Sequence, residues 1–210
     1  MRILIPARKG SKGLPGKNVK LFDYTIKSIP ESLRSRVHVL TDDDPIIEKC
    51  KTWKVDWKVR PDSVSNDTAS TKSLISWYIE NFEPQETLLV LYLTYPERTW
   101  KEIAKAVSLF RSSDAPSLLC KKSIETSPFL MLKEEGELHG SQLFFHDLYR
   151  RQDYPKCFEI SHFICLINPK LINSLNNNLY SRDTIFMSID EGIIDVDTEK
   201  DFKRLNELPG

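Results

Sequence analysis

Hydrophobic and polar positions alternate along this 210-residue chain in two patterns. Short apolar runs rich in Ile, Val and Leu predict strands at residues 2–5, 37–40, 55–59, 88–93, 117–120 and 163–167. Several segments between these runs place their apolar residues at helical spacing instead. This alternation predicts an α/β fold, with a mainly parallel sheet flanked by helices on both faces. We expect a single domain over residues 1–210, because this length suits one core.

The helical spacing is clearest in three segments. Asp44 followed by Pro45 predicts an N-cap with proline at the first helical position. Thr99 and Glu102 predict a capping box at the start of a second helix. Residues 71–82 carry apolar side chains along one face of a third. We interpret all three apolar faces as core, with no direct part in function.

Residues 123–160 interrupt the alternation of strands and helices. They mix Pro128, Gly136, Gly140 and Pro155 with several aromatic residues. We predict that this insertion projects from the sheet. Its aromatic content is compatible with a surface buried against a partner, and an ordinary flap on a monomer is the alternative.

Composition narrows the classes of function. Lys plus Arg and Asp plus Glu each total 30, which argues against a broad basic face for nucleic acid. The apolar runs are far shorter than the roughly 20 residues of a membrane span, and residues 1–7 are too short for a signal peptide. The four cysteines show no C-x-x-C pairing, so we expect reduced, mostly buried thiols. These observations favour a cytoplasmic enzyme without nucleic acid or membrane partners.

The loop after the first predicted strand, residues 8–18, departs from this balance of charge, and we call it the cationic loop. Asp23 is the first acidic residue, and the basic residues before it are Arg2, Arg8, Lys9, Lys12, Lys17 and Lys20. Glycines let backbone amides approach an anion closely, and the basic side chains neutralise its charge. The cationic loop therefore predicts a phosphate-binding mouth at the carboxyl end of a strand, where open α/β sheets bind ligands.

Two common phosphate-binding motifs do not fit this loop. A P-loop has four residues between its first Gly and the Gly-Lys pair, whereas five separate Gly10 from Gly16, and Asn18 follows Lys17. The dinucleotide fingerprint G-x-G-x-x-G is missing, and Pro15 is expected to break the helix that such a loop would open. From these residues alone, a solvated basic turn and a triphosphate site are equally open.

Four segments in order along the chain resemble the signatures of the sialic acid cytidylyltransferases, also called CMP-acylneuraminate synthetases. The segments are residues 5–18, residues 60–71, residues 150–155 and residues 194–202. The resemblance implies a Rossmann-like sheet of the nucleotide-diphospho-sugar transferase type and transfer of CMP from CTP to an acidic sugar. It also implies a homodimer formed through the insertion at 123–160.

The site residues follow from charge placement and from this resemblance. We expect Arg8 and Lys17 to cradle the triphosphate, with Ser11 and Lys12 assisting and Asn18 approaching the nucleoside. The resemblance places Arg60, Ala69 and Thr71 around cytosine, with Asp67 bracing their loop. It places Tyr92, Thr94, Arg151 and Gln152 at the sugar, where Arg151 suits a carboxylate.

Asp195 and Asp197 are the candidate metal ligands. On a strand they would share one face, and their hard oxygens suit Mg²⁺, which takes water and phosphate oxygens as its other ligands. However, Asp197 and Thr198 also begin a helical pattern that continues through Phe202 and ends at Leu208, so one carboxylate could serve only as a cap. Spacing does not decide between these roles. The resemblance favours the metal, most firmly at Asp197, which we therefore count with Arg8 and Lys17 as catalytic.

Three departures from the family pattern concern the acceptor. The stretch Tyr92 to Arg98 replaces a pattern close to Gln-Pro-Thr-Ser-Pro-Leu-Arg, His162 lies where the family has Asn-Gly-Ala, and the segment from Lys20 to Tyr24 is short. His162 is a sugar contact or, as the commoner alternative, a packed histidine. We predict a nine-carbon acidic sugar as acceptor. The alternatives are another 2-keto sugar acid of the Kdo, legionaminic or pseudaminic type, or a catalytically degenerate nucleotide-binding protein.

Overall fold

A central sheet covered by helices organises the chain. The computed structural model describes residues 1–11, 13–66, 68–190 and 192–207. The strands are Arg2–Ala7 (β1), Val37–Thr41 (β2), Asp56–Val59 (β3), Leu88–Val90 (β4), Ser117–Ser123 (β5), Leu132–Glu134 (β6), Gly140–Gln142 (β7), Phe158–Ile167 (β8) and Ile185–Ser188 (β9). The helices are Lys17–Ser28 (α1), Asp44–Trp53 (α2), Thr71–Phe82 (α3), Trp100–Arg111 (α4) and Glu199–Asn206 (α5). Short 3₁₀ turns lie in several of the connections.

The main sheet has the strand order β3-β2-β1-β4-β8-β5-β9. Its strands pair in parallel, except that β8 runs antiparallel to both β4 and β5. The prediction of a mainly parallel sheet is therefore confirmed, and each predicted strand overlaps an observed one. The edge strand β9 and the small pair β6–β7 were not predicted.

Both faces of the sheet are buried. Along β1, Ile3 and Ile5 belong to one core cluster and Leu4 belongs to another, and all three are fully buried. Successive side chains of a strand point to opposite faces, so this division shows that helices cover the sheet on both sides. Such a sheet leaves its strand ends, and not its faces, open to a ligand.

Two helix starts differ from the predictions. The N-cap of α2 is Asp43, one residue before the predicted Asp44, so Asp44 and Pro45 both lie inside the first turn. Pro15 does not prevent a helix after the cationic loop, because α1 begins at Lys17, beyond the proline. Gly16 caps α1 in the left-handed conformation (φ 67°), which glycine adopts without steric cost. The capping box of Thr99 and Glu102 is confirmed at the start of α4.

The insertion at 123–160 contributes no buried residue to the two core clusters, and only Ile160 of this segment packs against one of them. None of its residues is buried, and it contains the antiparallel pair β6–β7. Phe129 stacks on Tyr154 with ring centroids 6.0 Å apart and also contacts Phe144. In contrast, Phe145 and Tyr149 are 99% and 94% exposed. Within the described residues, no helix combines the length and the apolar character needed to cross a membrane.

Candidate active site

A cleft opens where the strand ends of β1, β3 and β4 meet the amino end of α3. Its first half is lined by Pro6, Arg8, Ser11, Lys17, Asn18, Arg60, Ala69, Ser70, Thr71, Leu74, Tyr92, Leu93 and Thr94. Every predicted nucleotide-binding residue that the structure describes lies in this half. Lys12 and Asp67 lie outside the described residues. Ser70 was not predicted as a site residue. It is the N-cap of α3, and its side chain accepts a hydrogen bond from the backbone amide of Ser73.

The second half of the cleft continues from the first. It shares Lys17, Ser70, Thr71, Tyr92 and Thr94 with the first half and adds Tyr95, His162, Asn177, Asn178, Asp195 and Asp197. The two aspartates that follow β9 in sequence therefore open onto the same cleft as the cationic loop. Asn177 and Asn178 were not predicted, because a run of asparagines is equally typical of a plain turn.

Lys17 and Asp197 join the two ends of the chain across this cleft. The Lys17 ammonium donates to Asp197 Oδ1 at 2.5 Å, across 180 residues of sequence. The Asp197 side chain is 63% exposed, whereas that of Lys17 is 15% exposed. A Cβ built on Gly13 would lie 2.5 Å from the carbonyl oxygen of Asp197, so only glycine fits at this approach. The cationic loop and the carboxylates thus converge, as the sequence predicts.

Side-chain contacts hold the cationic loop in shape. Asn18 donates its amide to the carbonyl oxygen of Arg8 at 2.8 Å, and the Lys9 amide donates to Asp42 Oδ1 at 2.8 Å. Gly10 has a positive φ of 78°, which permits the sharp bend between these anchors. Asn18 therefore braces the loop as well as lining the cleft.

Arg60 is a buried cation in the wall of the nucleotide half. It is 7% exposed and donates to the carbonyl oxygen of Val64. Burial, reinforced by the nearby positive charge of Arg8, lowers the pKa of the Arg60 guanidinium, while Asp42 opposes the shift. Its Nε is buried and has no hydrogen-bond partner among the described residues.

Tyr92 lies between the two halves of the cleft. It lines both halves beside Thr71, and burial raises the pKa of its phenol far above its usual range. Its ring contacts His162 edge-on, with centroids 5.5 Å apart, and the His162 Nε2 lies 3.1 Å from the carbonyl oxygen of Asn178. Tyr92 therefore borders the nucleotide half as well as the half to which the resemblance assigned it, the sugar site.

Arg151 and Gln152 are not brought to this cleft by their own chain. Both lie on an exposed turn of the insertion, and Arg151 lines a separate cavity together with Ser123, Tyr154 and Phe158. Among the described residues that line the cleft, neither Arg151 nor Gln152 is present. Within a single chain, Arg151 and Gln152 therefore do not lie where they could contact a sugar in this cleft, contrary to our prediction.

The two candidate metal ligands do not lie on a strand, contrary to our expectation. Residues 193–197 belong to no strand or helix, and buried Ile194 and Val196 alternate with exposed Asp195 and Asp197. The alternation still turns both carboxylates toward the cleft. Neither side chain caps α5, because its N-cap is Thr198, which forms a capping box with Asp201. The capping alternative is thus excluded for both aspartates.

The donor set fits a magnesium ion that draws most of its ligands from elsewhere. Within the described residues, no group of three His, Cys, Asp or Glu side chains is arranged to hold a metal. Asp195 and Asp197 supply carboxylate oxygens at one place in the cleft. Mg²⁺ commonly binds through one or two carboxylates, with water and substrate phosphates completing its octahedron.

All four cysteines are free thiols. Cys50, Cys120 and Cys165 are buried, and Cys157 is partly exposed. Burial raises the pKa of Cys50 and of Cys120 to about 12, so both remain protonated at neutral pH. The expectation of reduced, mostly buried thiols is confirmed.

Comparison with known proteins finds similarity to cytidylyltransferases. A family model for cytidylyltransferases matches residues 2–96, which include the cationic loop, residues 60–71 (the base loop) and Tyr92 to Tyr95. The N-acylneuraminate cytidylyltransferase of Streptococcus agalactiae serotype V is 26% identical over 209 residues, which are 95% of this chain and 51% of that protein. The chain thus spans about half the length of this relative.

A second relative matches along nearly its whole length. The CMP-N,N'-diacetyllegionaminic acid synthase of Legionella pneumophila is 27% identical over 228 residues, covering 99% of this chain and 96% of that protein. The fold is shared with a solved CMP:2-keto-3-deoxy-manno-octonic acid synthetase in complex with CTP, at a TM-score of 0.66 and 14% identity, over 97% of this chain and 95% of that one. The chain is thus similar in sequence to cytidylyltransferases, most extensively to those named for acylneuraminic and legionaminic acids, and it shares the fold of a CMP:2-keto-3-deoxy-manno-octonic acid synthetase.

Proposed function

We propose that this protein is a magnesium-dependent cytidylyltransferase that transfers CMP from CTP to an acidic sugar of the sialic acid type. The observation that carries the proposal is the contact between Lys17 and Asp197, which brings the cationic loop and the carboxylates into one cleft. A triphosphate and a metal would meet at this contact. The two halves of the cleft then supply separate places for the nucleotide and the acceptor.

The reaction requires positioning and neutralisation of charge. The oxygen of the anomeric hydroxyl forms a bond to the α-phosphorus, the bond from that phosphorus to the bridging oxygen breaks, pyrophosphate leaves, and the hydroxyl proton is released. Arg8, Lys17 and the loop amides neutralise the charge that grows on the leaving pyrophosphate. We propose that Ser11 and Lys12 also bind the phosphates. The loop is held in shape by Asn18, so the donors need little rearrangement when the nucleotide binds.

Asp195 and Asp197 would hold the magnesium ion, together with phosphate oxygens and water. A bound magnesium ion would supply Lewis-acid stabilisation of charge at the α-phosphate. Lys17 neutralises Asp197 in the structure described here, so the ammonium and the cation share this carboxylate or exchange at it. The two carboxylates would thus set the position of the magnesium ion in the cleft.

The base loop supports a pyrimidine nucleotide in the inner half. Arg60, Ala69 and Thr71 line this half, and the Ala69 amide already donates to the carbonyl oxygen of Asn66 at 3.3 Å. A base would therefore be selected through the remaining backbone and side-chain groups of this loop.

The acceptor half supports a polyhydroxylated sugar. Thr94, His162, Asn177 and Asn178 offer hydrogen-bonding groups, and Lys17 is the lysine or arginine among its described lining residues. Arg151 and Gln152 lie outside the cleft of their own chain. We therefore propose that they bind the carboxylate of the sugar only in the cleft of a second copy of the chain. The near full-length likeness to a CMP-N,N'-diacetyllegionaminic acid synthase supports other nine-carbon acids as the second candidate.

We further propose a homodimer formed through the insertion at 123–160, and a cytoplasmic location. The exposed aromatic and aliphatic side chains of the insertion support the dimer, since Leu138, Phe145 and Tyr149 are each at least 90% exposed. The four free thiols are in keeping with a reducing compartment.

The test is release of pyrophosphate by the purified protein with CTP, Mg²⁺ and a panel of sialic, legionaminic, pseudaminic and Kdo-type acids. We expect turnover with CTP and a nine-carbon acid, strongly reduced turnover with UTP, and none after chelation of the metal. Turnover that is greatest with the Kdo-type acid would overturn the acceptor assignment. Binding of CTP without turnover on any acid would favour a degenerate nucleotide-binding protein.

A further inference from the structure

Hydrogen bonds to the turn after β4 locate the carboxylate segment of the cleft. We name residues 194–197 the acid segment and residues 92–98 the tyrosine turn. The Val196 amide donates to the carbonyl oxygen of Thr94 at 2.8 Å, and the Ile194 amide donates to Glu97 Oε2 at 2.9 Å. The Tyr95 hydroxyl donates to Asp195 Oδ2 at 2.8 Å. We propose that Tyr95 and Glu97 are positioning residues that set where the acid segment presents its carboxylates, and this rests on the proposed function.

The acid segment lacks the usual support of a sheet. β9 ends at Ser188, and residues 193–197 pair with no strand of the described chain. Ile194 and Val196 are 5% and 0% exposed, so burial fixes which face the carboxylates occupy. Apolar contacts are non-directional, however, and do not fix the position of the segment along its own axis. Directional hydrogen bonds from the tyrosine turn supply that restraint.

Tyr95 is held rigidly enough to orient a carboxylate. It is 7% exposed, and its ring meets Phe163 edge-on at 5.7 Å and 90°. The Ser161 hydroxyl donates to the Tyr95 oxygen at 3.5 Å, so the phenol hydrogen is left for Asp195.

A buried arginine fixes the backbone of the tyrosine turn. Arg98 is 2% exposed and donates to the carbonyl oxygen of Tyr92 at 2.9 Å and to that of Phe163 at 2.5 Å. Burial lowers the pKa of its guanidinium to about 10, which leaves it charged at neutral pH. The turn is thereby tied to β8, and its contacts with the acid segment start from a fixed frame.

The two positioning residues coincide with departures from the family pattern. In the pattern that the tyrosine turn resembles, Ser and Leu stand where this chain has Tyr95 and Glu97. A leucine has no acceptor for the Ile194 amide, and a serine is too short to span the distance that a tyrosine spans. We therefore assign both departures to the placement of the acid segment and not to direct recognition of the acceptor.

The experiment compares Tyr95→Phe and Glu97→Ala with wild type, using hydrogen exchange of the Ile194 and Val196 amides and steady-state kinetics. Glu97→Gln keeps an acceptor oxygen and is the conservative rescue. Tyr78→Phe is the matched control, because Tyr78 is also buried and its hydroxyl lies 2.6 Å from His38, outside the cleft. Exchange needs neither nucleotide nor metal, so it tests the positioning even if the protein shows no turnover.

We expect Glu97→Ala to accelerate exchange of the Ile194 amide roughly tenfold, and Glu97→Gln to restore most of the protection. For Tyr95→Phe we expect kcat to fall roughly tenfold with an unchanged KM for CTP, because the lost hydrogen bond orients Asp195, which lines the acceptor half and not the nucleotide half. Wild-type exchange in both variants would overturn the proposal. So would a fall in kcat no larger than that of Tyr78→Phe. Absence of turnover in the wild type would instead count against the proposed function alone.

Discussion

Lys17 is the residue at which the two ends of the chain meet, and its replacement separates catalysis from folding. We expect Lys17→Ala to lower kcat by about 10²- to 10³-fold, because it removes a positive charge from the developing pyrophosphate. The free energy of unfolding should change by less than about 1 kcal/mol, since its partner Asp197 is largely exposed and such ion pairs contribute little. Pyrophosphate release and urea denaturation measure the two quantities.

Lys20→Ala is the matched control for this prediction. Lys20 lies one turn further along α1, and its ammonium is 3.8 Å from Glu199 on α5, so this pair also joins α1 to the carboxyl end of the chain. Lys20 is not among the described residues that line the cleft. Its replacement should leave kcat at the wild-type level. Equal kinetic effects of the two substitutions would remove the special role of Lys17.

Gly13 provides a second test at the residue scale. A methyl group at this position would meet the carbonyl oxygen of Asp197 at 2.5 Å, so the loop or the acid segment must move. We expect Gly13→Ala to cost about 1–3 kcal/mol of stability, as overpacked sites do, and to lower kcat through the displaced carboxylate. Thermal unfolding and pyrophosphate release are the measurements. A Cβ added at Gly192 would meet open space, so Gly192→Ala should change neither stability nor kcat. If Gly13→Ala behaved like the wild type in both measurements, the approach of the loop to Asp197 would not be tight.

At the scale of elements, local patterns predicted most of the sheet but not its edges. The runs of Ile, Val and Leu located β1, β2, β4 and β5, because these strands are buried on both faces. The amino-terminal part of β8 escaped prediction, since Phe158 and Glu159 are exposed and the strand extends beyond its apolar run. β9 lies at the edge of the sheet, where its mixed residues carry a weaker signal.

The cleft shows the same division between local and distant information. The cationic loop and the base loop are short motifs, so their residues could be identified from spacing and resemblance. Tyr95 and Glu97 could not, because their partners Asp195 and Ile194 lie 100 and 97 residues away. Such contacts depend on how β4 and the carboxyl-terminal segment meet in space. The local pattern at these positions indicated only a departure from a motif.

The strand pair β2–β3 carries a prediction about pH. Burial, followed by the positive charges of Arg2 and Lys58, lowers the pKa of His38 to about 4, while Asp56 and Glu86 oppose the shift. The imidazole is therefore neutral in the folded protein, whereas in the unfolded chain it gains a proton below a pKa of about 6.5. Its contribution to stability is complete above that pH and is lost as the pH falls toward 4.

We expect His38→Gln to abolish this part of the pH dependence. The stability advantage of the wild type over the variant should shrink by roughly 2 kcal/mol between about pH 7 and about pH 4.5, since one pKa unit corresponds to about 1.4 kcal/mol. Urea denaturation at a series of pH values measures the difference between the two proteins. Parallel curves for wild type and variant would show that His38 titrates alike in the folded and unfolded states.

At the scale of the whole molecule, the insertion is the feature that the monomer leaves unexplained. Residues 123–160 contribute no buried residue, yet Leu132, Leu138, Phe145 and Tyr149 are between 68% and 99% exposed. An apolar surface of this kind is typical of an interface, because isolated proteins seldom leave large contiguous apolar patches in water. A second copy would cover it and would also provide a route for Arg151 to reach a cleft.

The double substitution Phe145→Ser and Tyr149→Ser tests this dimer. In analytical ultracentrifugation, we expect the wild type to have twice the mass of one chain and the variant to have the mass of a single chain. The reason is that aromatic anchors at the centre of an interface carry much of its binding energy. Val59→Ser is the control, because Val59 is 64% exposed on the edge strand β3, far from the insertion in sequence. A monomeric wild type would contradict the dimer itself. A dimeric double variant would place the interface elsewhere, and Arg151 would then need another route to the sugar.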